Sequence, residues 1–126
     1  MKTFKEADIL LPGKEVNMEK WSVIACDQFT SEPEYWKEVR QMVGKMPSTL
    51  DMIFPEVYLE QEDYEERLKN INASMTDYLE KKIFTEYKDA MIYVERTDSV
   101  GNVRAGIVGK IDLEQYDYSK KSTSLI

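Results

Sequence analysis

The chain has 126 residues, 42% of them hydrophobic and 33% charged, with 24 acidic against 17 basic side chains and a net charge of −7. That length suits one domain able to bury roughly 65% of the surface its unfolded form exposes; the composition is too apolar for disorder and holds no apolar run long enough to span a bilayer. The acidic surplus repels nucleic acid and anionic lipid, and Lys120 with Lys121 is a small signal beside the dense basic surface that phosphate-backbone binding uses, so neither partner is expected.

In chain order, Ala7 to Pro12 is a short apolar run closed by Pro12-Gly13 and reads as a strand or extended arm ending in a turn. Trp21 to Cys26 reads as a second strand. Ser31 and Glu34 then have the spacing of a capping box, Pro33 fits a first helical turn, and the helix they open is expected to stop at Gly44. Leu50 to Leu59, interrupted by Pro55, reads as an extended segment or edge strand. From about Glu62 to Lys82, the residues Tyr64, Leu68, Ile71, Met75, Tyr78 and Leu79 recur at three- and four-residue intervals and place one apolar stripe on a helix. That stripe faces either the core or a partner helix.

Ala90 to Glu95 and the segment from Val103 to Ile111, joined by the turn chemistry of Asp98 to Asn102, form a β-hairpin. Gly106 and Gly109 weaken the strand, or mark a bulge or a close approach of another backbone. The order of elements gives an α+β fold: a mixed or antiparallel sheet with two main helices and a C-terminal β-hairpin, within a single domain spanning residues 1–126. The end, Asp117 to Ile126, closes on two apolar residues and reads either as a native terminus or as a cut between domains.

Specific stretches carry a likeness. They are Ala7-Asp8-Ile9-Leu10-Leu11-Pro12, Trp21 through Ser31 with Tyr35-Trp36, Pro55-Glu56-Val57-Tyr58-Leu59, Ile92-Tyr93-Val94-Glu95-Arg96-Thr97, Ile111-Asp112-Leu113-Glu114 with Tyr116 to Ser119, and Ser122-Thr123-Ser124-Leu125-Ile126. With these, the chain resembles the N-terminal part of a family of bacterial and archaeal proteins of unknown function, domain-of-unknown-function family ten-fifteen. The resemblance implies a longer protein of which this chain is the N-terminal domain or a fragment. It also implies a distant likeness to the group that includes ParB, sulfiredoxin and free-serine kinases. The phosphate-binding Gly-His-His-Arg-type motif of that group is absent here, since the chain has no histidine, so the resemblance lends it no phosphotransfer.

No Walker loop, dinucleotide fingerprint, zinc spacing or nucleophile elbow appears, so the sequence names no catalytic set and no cofactor. Cys26 cannot form an internal disulfide, which agrees with a reducing compartment, and the mixed charges at the N-terminus lack the layout of a secretory signal. A cytoplasmic protein is expected. Following Val23, Ile24 and Ala25, Cys26 reads as a buried structural thiol, with no histidine to activate it. The sequon Asn72-Ala73-Ser74 falls inside a predicted helix and reads as chance.

The ligand-binding candidates are Asp27, Gln28 and Thr30, a carboxylate, an amide and a hydroxyl between an apolar run and a helix N-terminus, where turn and capping chemistry is the alternative. Arg96 and Arg104, opposite one another near the hairpin turn, match the geometry of phosphate or carboxylate oxygens, or pair with Glu95 or Asp98. The acidic cluster Glu60, Glu62, Asp63, Glu65 and Glu66 reads either as a site that attracts a divalent cation or, preferably, as a solvated face that complements the positive end of the helix dipole. Two functional expectations follow. One is a wall of a small-molecule or phosphate-ligand site completed by a downstream domain of the same protein. The other is a non-catalytic interaction or assembly module, suggested by the apolar end and by Tyr116 and Tyr118, for which an oligomer is conceivable.

Overall fold

In the computed structural model, which describes residues 3–115, the elements in chain order are β1 (Phe4–Lys5), β2 (Ala7–Pro12), α1 (Met18–Trp21) and α2 (Pro33–Val43), then 3-10 turns at Thr49–Asp51 and Glu56–Tyr58. They continue with α3 (Tyr64–Glu80), β3 (Phe84–Ala90), β4 (Ile92–Thr97), β5 (Val103–Val108), β6 (Lys110–Ile111) and a last 3-10 turn at Leu113–Gln115. The strands pair in three two-stranded ladders, β1 with β6, β2 with β3, and β4 with β5. The fold is α+β, with two main helices and the expected hairpin, β4–β5. The Asp117–Ile126 end, with its lysines and tyrosine, and Tyr116 lie outside the described residues.

Two compact units divide the chain, Pro12–Thr85 and Met1–Leu11 with Glu86–Ile126. The first carries the helices. Its core is built on Trp36, Val43 and Leu50, with Val23, Tyr35, Val39, Ile53, Val57 and Tyr58 packed around them. Helix α2 begins and ends where its sequence dictates: Pro33 occupies its first turn, and Gly44 takes φ of 60° at its end, a left-handed value that costs glycine least. The capping box does not form. Pro33 at the first helical position makes Glu32 the cap, which places Ser31 one residue too early to bond the helix amides, and the cap has no side-chain hydrogen bond.

Two segments expected from sequence to be strand or extended chain join no ladder, and each contains helical turns. In the first, Asn17 Oδ1 accepts from the Glu19 N–H at 3.0 Å and opens α1, so Trp21 ends a helical turn rather than beginning a strand. Beyond it, the Trp21 carbonyl accepts from Thr49 Oγ1 at 2.7 Å and the Cys26 carbonyl from the Glu56 N–H at 2.9 Å, so this run is tied down by partners that form no ladder. In the second, Ser48 Oγ accepts from the Leu50 N–H at 3.1 Å and caps one 3-10 turn, while Pro55 precedes another. Strand β3, rich in charge and mostly exposed, is an element that the apolar pattern does not announce.

Helix α3 buries its predicted stripe unevenly. Tyr78 is buried and Leu68 and Ile71 half-buried, whereas Met75 and Leu79 stay exposed. Ser74 and Arg67, between the stripe and the polar face, are also half-buried.

In the second unit, β4 and β5 pair antiparallel from Ile92↔Val108 to Thr97↔Val103. The turn between them is organised by Asp98. Its carboxylate accepts from the N–H groups of Val100 and Asn102 and from the Asn102 side-chain amide at 2.9 to 3.0 Å, and these bonds hold it below the usual carboxylate range. What reads as one strand from Val103 to Ile111 breaks at Gly109, and β6 leaves the hairpin to pair with β1. A Cβ at Gly109 would stand 2.7 Å from the Lys5 carbonyl oxygen, the close backbone approach expected there. Gly106 has open space around it instead.

Trp36, only 2% exposed, donates its indole N–H to the Gln28 carbonyl at 3.3 Å and so ties the loop before α2 to the core. Trp36→Ala, which leaves a cavity, is expected to cost about 3–5 kcal/mol. Trp36→Phe, which keeps most of the buried ring, should add only about 1 kcal/mol for the lost donor to its packing change. Urea unfolding of both variants checks this, and equal losses would contradict it.

Candidate functional site

The helical unit contains a cleft of about 530 Å³, within the usual range for small-molecule sites. Trp36, Lys37, Arg40 and Gln41 of α2 line one side and Arg67, Asn70, Ile71 and Ser74 of α3 the other. Leu50 and Asp51 from the first 3-10 turn, and Ile53, Phe54, Pro55 and Tyr58 from the segment after it, complete the lining. The walls are thus mixed: apolar and aromatic side chains with two amides, two hydroxyls, three cations and one carboxylate.

Each of the two arginines is held by a carboxylate. Arg40 Nη2 donates to Asp51 Oδ1 at 2.6 Å. Arg67 Nε donates to Asp63 Oδ2 at 3.0 Å, and its guanidinium lies over the Tyr58 ring at 3.7 Å from the centroid. Lys37 pairs with Glu34 at 3.3 Å in a largely exposed ion pair of small energetic weight. Of the three partner carboxylates, only Asp51 faces the cleft.

Asp51 joins this lining to the interior. Its Oδ2 accepts from the Tyr78 hydroxyl at 2.6 Å, and that hydroxyl in turn accepts from the Ser48 N–H at 3.0 Å. Ser48 is fully buried, so the Tyr78 bond satisfies an amide that has no access to water. Burial, followed by the hydrogen bond to Asp51, pushes the Tyr78 phenol up to about 12; the Ser48 bond and the Arg40 charge act the other way. Ionising Tyr78 would set an anion against the Asp51 carboxylate.

The sequence-derived candidates lie elsewhere. Asp27, Gln28 and Thr30 are exposed and do not line the cleft; Gln28 Nε2 donates to Asp27 Oδ1 at 3.4 Å, and the Gln28 carbonyl holds Trp36. Beside them Phe29 adopts a left-handed φ of 52° and stacks on Tyr35 with ring centroids 3.9 Å apart. Arg96 and Arg104 are directly opposite one another, as expected, but belong to the other compact unit. Neither makes an ion pair among the described residues, because Asp98 is committed to the turn and Glu95 accepts from the Tyr93 hydroxyl at 3.0 Å. Cys26 is half-buried. The cleft residues escaped the sequence reading, although one signal was present: a tyrosine at the end of an apolar helical stripe needs a polar partner for its hydroxyl.

The Tyr78 shift sets a pH dependence. The unfolded phenol ionises near 10 and the folded one near 12, so its contribution to stability is complete below pH 10 and is lost as pH rises through 12. Between pH 9.5 and 11, the unfolding free energy of the wild type should fall more than that of Tyr78→Phe, by up to about 1.4 kcal/mol per pH unit. Equal falls in urea titrations at the two pH values would contradict the assignment.

Among the described residues, no helix is long and apolar enough to cross a membrane. Nor does any group of three or more histidine, cysteine, aspartate or glutamate side chains there have the arrangement to hold a metal ion. No curated protein and no solved structure matches the chain. A family model does, described as Protein of unknown function (DUF1015). Its match covers residues 10–122, nearly the whole chain and most of the motif stretches that first suggested it, and the chain therefore belongs to that family.

Proposed function

We propose that this chain is the N-terminal α+β domain of a longer cytoplasmic protein and that the cleft lined by α2 and α3 is one wall of a small-molecule site, completed by a downstream domain of the same protein. The observation that carries this reading is the cleft itself, a concavity of about 530 Å³ in which Asp51 is held by the Tyr78 hydroxyl and by Arg40, and Arg67 by Asp63 and the Tyr58 ring. Preorganised polar groups among apolar walls are what a specific small-molecule site needs. The exposed groups of Asp27, Gln28 and Thr30, and the guanidinium pair of Arg96 and Arg104, remain candidates for further ligand contacts in the complete protein. A lone cysteine and the absence of histidine are in keeping with a reducing compartment and with binding rather than metal or nucleophilic chemistry in this part of the protein.

A second reading, a non-catalytic interaction or assembly module, is favoured by the β4–β5 hairpin, where Tyr93, Val103 and Ile107 share one face and are 65%, 58% and 60% exposed. Thermal-shift screening of the full-length protein against small polar metabolites, nucleotides and serine separates the two. On the first reading, at least one class raises the melting temperature, and Asn70→Trp, which fills the cleft from its exposed rim, abolishes the shift. A shift that survives Asn70→Trp, or no shift with any class, would overturn the cleft as the site.

A further inference from the structure

The donor set of the cleft says which ligand chemistry it suits, an inference that rests on the binding reading above. Arg67 is anchored at three of its features: Nε is bonded to Asp63, one face of the guanidinium lies on Tyr58, and the side chain is only one-third exposed. Its two terminal nitrogens have no partner among the described residues. Arg40 is likewise held through Nη2 by Asp51, which leaves Nε and Nη1. A guanidinium that is already held gives up little side-chain entropy when it binds; the two terminal nitrogens of Arg67 form a planar fork that matches two oxygens of one anion, whereas Nε and Nη1 of Arg40 lie on different edges and each offer a single bond. Beside these donors the cleft presents Ile53, Phe54 and Ile71, all half-buried, which offer apolar and aromatic surface but no charge.

We infer that the cleft binds a small molecule with a flat apolar body and a single oxyanion, phosphate or carboxylate, with Arg67 as its principal clamp and Arg40 as the second. The occupant is not a bare inorganic anion, because the apolar half of the lining would then stay wet and unused. A neutral aromatic is excluded for the complementary reason, since it would desolvate the two guanidiniums without replacing their hydrogen bonds to water. The body is limited by the volume to a metabolite of modest size. Asp51, the one carboxylate in the lining, is engaged on both oxygens, by Arg40 and by Tyr78, and so presents a largely neutralised group to the incoming anion.

The test is isothermal titration of the full-length protein with four probes: phenyl phosphate, benzoate, benzyl alcohol and inorganic phosphate. One of the two aromatic anions should bind at least about tenfold tighter than both benzyl alcohol and inorganic phosphate, as a charge-assisted pair of hydrogen bonds allows. Which of the two wins distinguishes a phosphate from a carboxylate ligand. Arg67→Ala should erase the preference over benzyl alcohol. Arg67→Lys, which keeps the charge but loses the fork and the stacking, should fail to restore it, with circular dichroism confirming that both variants fold. Equal binding of benzyl alcohol, or a preference retained in Arg67→Lys, would overturn the oxyanion clamp while leaving the cleft a binding site. Insensitivity of every probe to Asn70→Trp would remove the site itself.

Discussion

Tyr78 reaches from the last turns of α3 to a fully buried serine and to the carboxylate of Asp51, and most of what organises the helical unit meets at its hydroxyl. The Ser48 amide points inward with no water to satisfy it, and the phenol oxygen accepts its hydrogen at 3.0 Å. Leaving such an amide unpaired would cost on the order of 1–3 kcal/mol. The same hydroxyl donates its single proton to Asp51 at 2.6 Å, and Asp51 passes the connection to Arg40 of α2. One side chain on α3 thereby fixes the 3-10 turn and, through it, the facing helix. The Tyr78 ring also packs against Trp21, with centroids 6.0 Å apart, and Trp21 meets Phe84 edge-on at 5.6 Å, so polar and apolar restraints coincide.

The cleft exists because of that arrangement. If α2 and α3 met directly through apolar ridges, little space would separate them. Here the 3-10 turn carrying Leu50 and Asp51 contributes to the lining between them, and the carboxylate it brings is neutralised from both sides. The cost of placing a carboxylate near the interior is offset by two charge-assisted bonds. The result is a concave surface whose arginines are already oriented before any ligand arrives. Trp36 secures the opposite end, with its ring in the core and its indole N–H on the loop that precedes α2.

Much of this framework was legible in the sequence, and the reason differs from element to element. Pro33 and Gly44 bracket α2 because their backbone preferences are local, and Asp98 to Asn102 make the hairpin turn for the same reason. The cross-strand register that sets Arg96 against Arg104 follows from that turn. Trp21 to Cys26 misled because a short apolar run has no period of its own; its carbonyls are claimed by Thr49 and Glu56, some thirty residues on, and nothing local announces that. The cleft was illegible for a related reason. Arg40, Asp51 and Arg67 lie on three separate elements at spacings that form no motif, and each one alone reads as a surface charge. Tyr78 was placed correctly on the buried stripe of α3, but the apolar pattern that put it there is silent about its hydroxyl.

The organisation of the helical unit depends on the coupling between Tyr78 and Asp51, and a double-mutant cycle measures it most directly. Unfolding free energies of the wild type, Tyr78→Phe, Asp51→Ala and the double variant would be compared near neutral pH. If the hydroxyl and the carboxylate act as one connection, the interaction energy should be at least about 1 kcal/mol, because the second substitution removes little that the first has not already broken. Additive losses, within about 0.5 kcal/mol, would contradict the account and reduce the network to separate contacts.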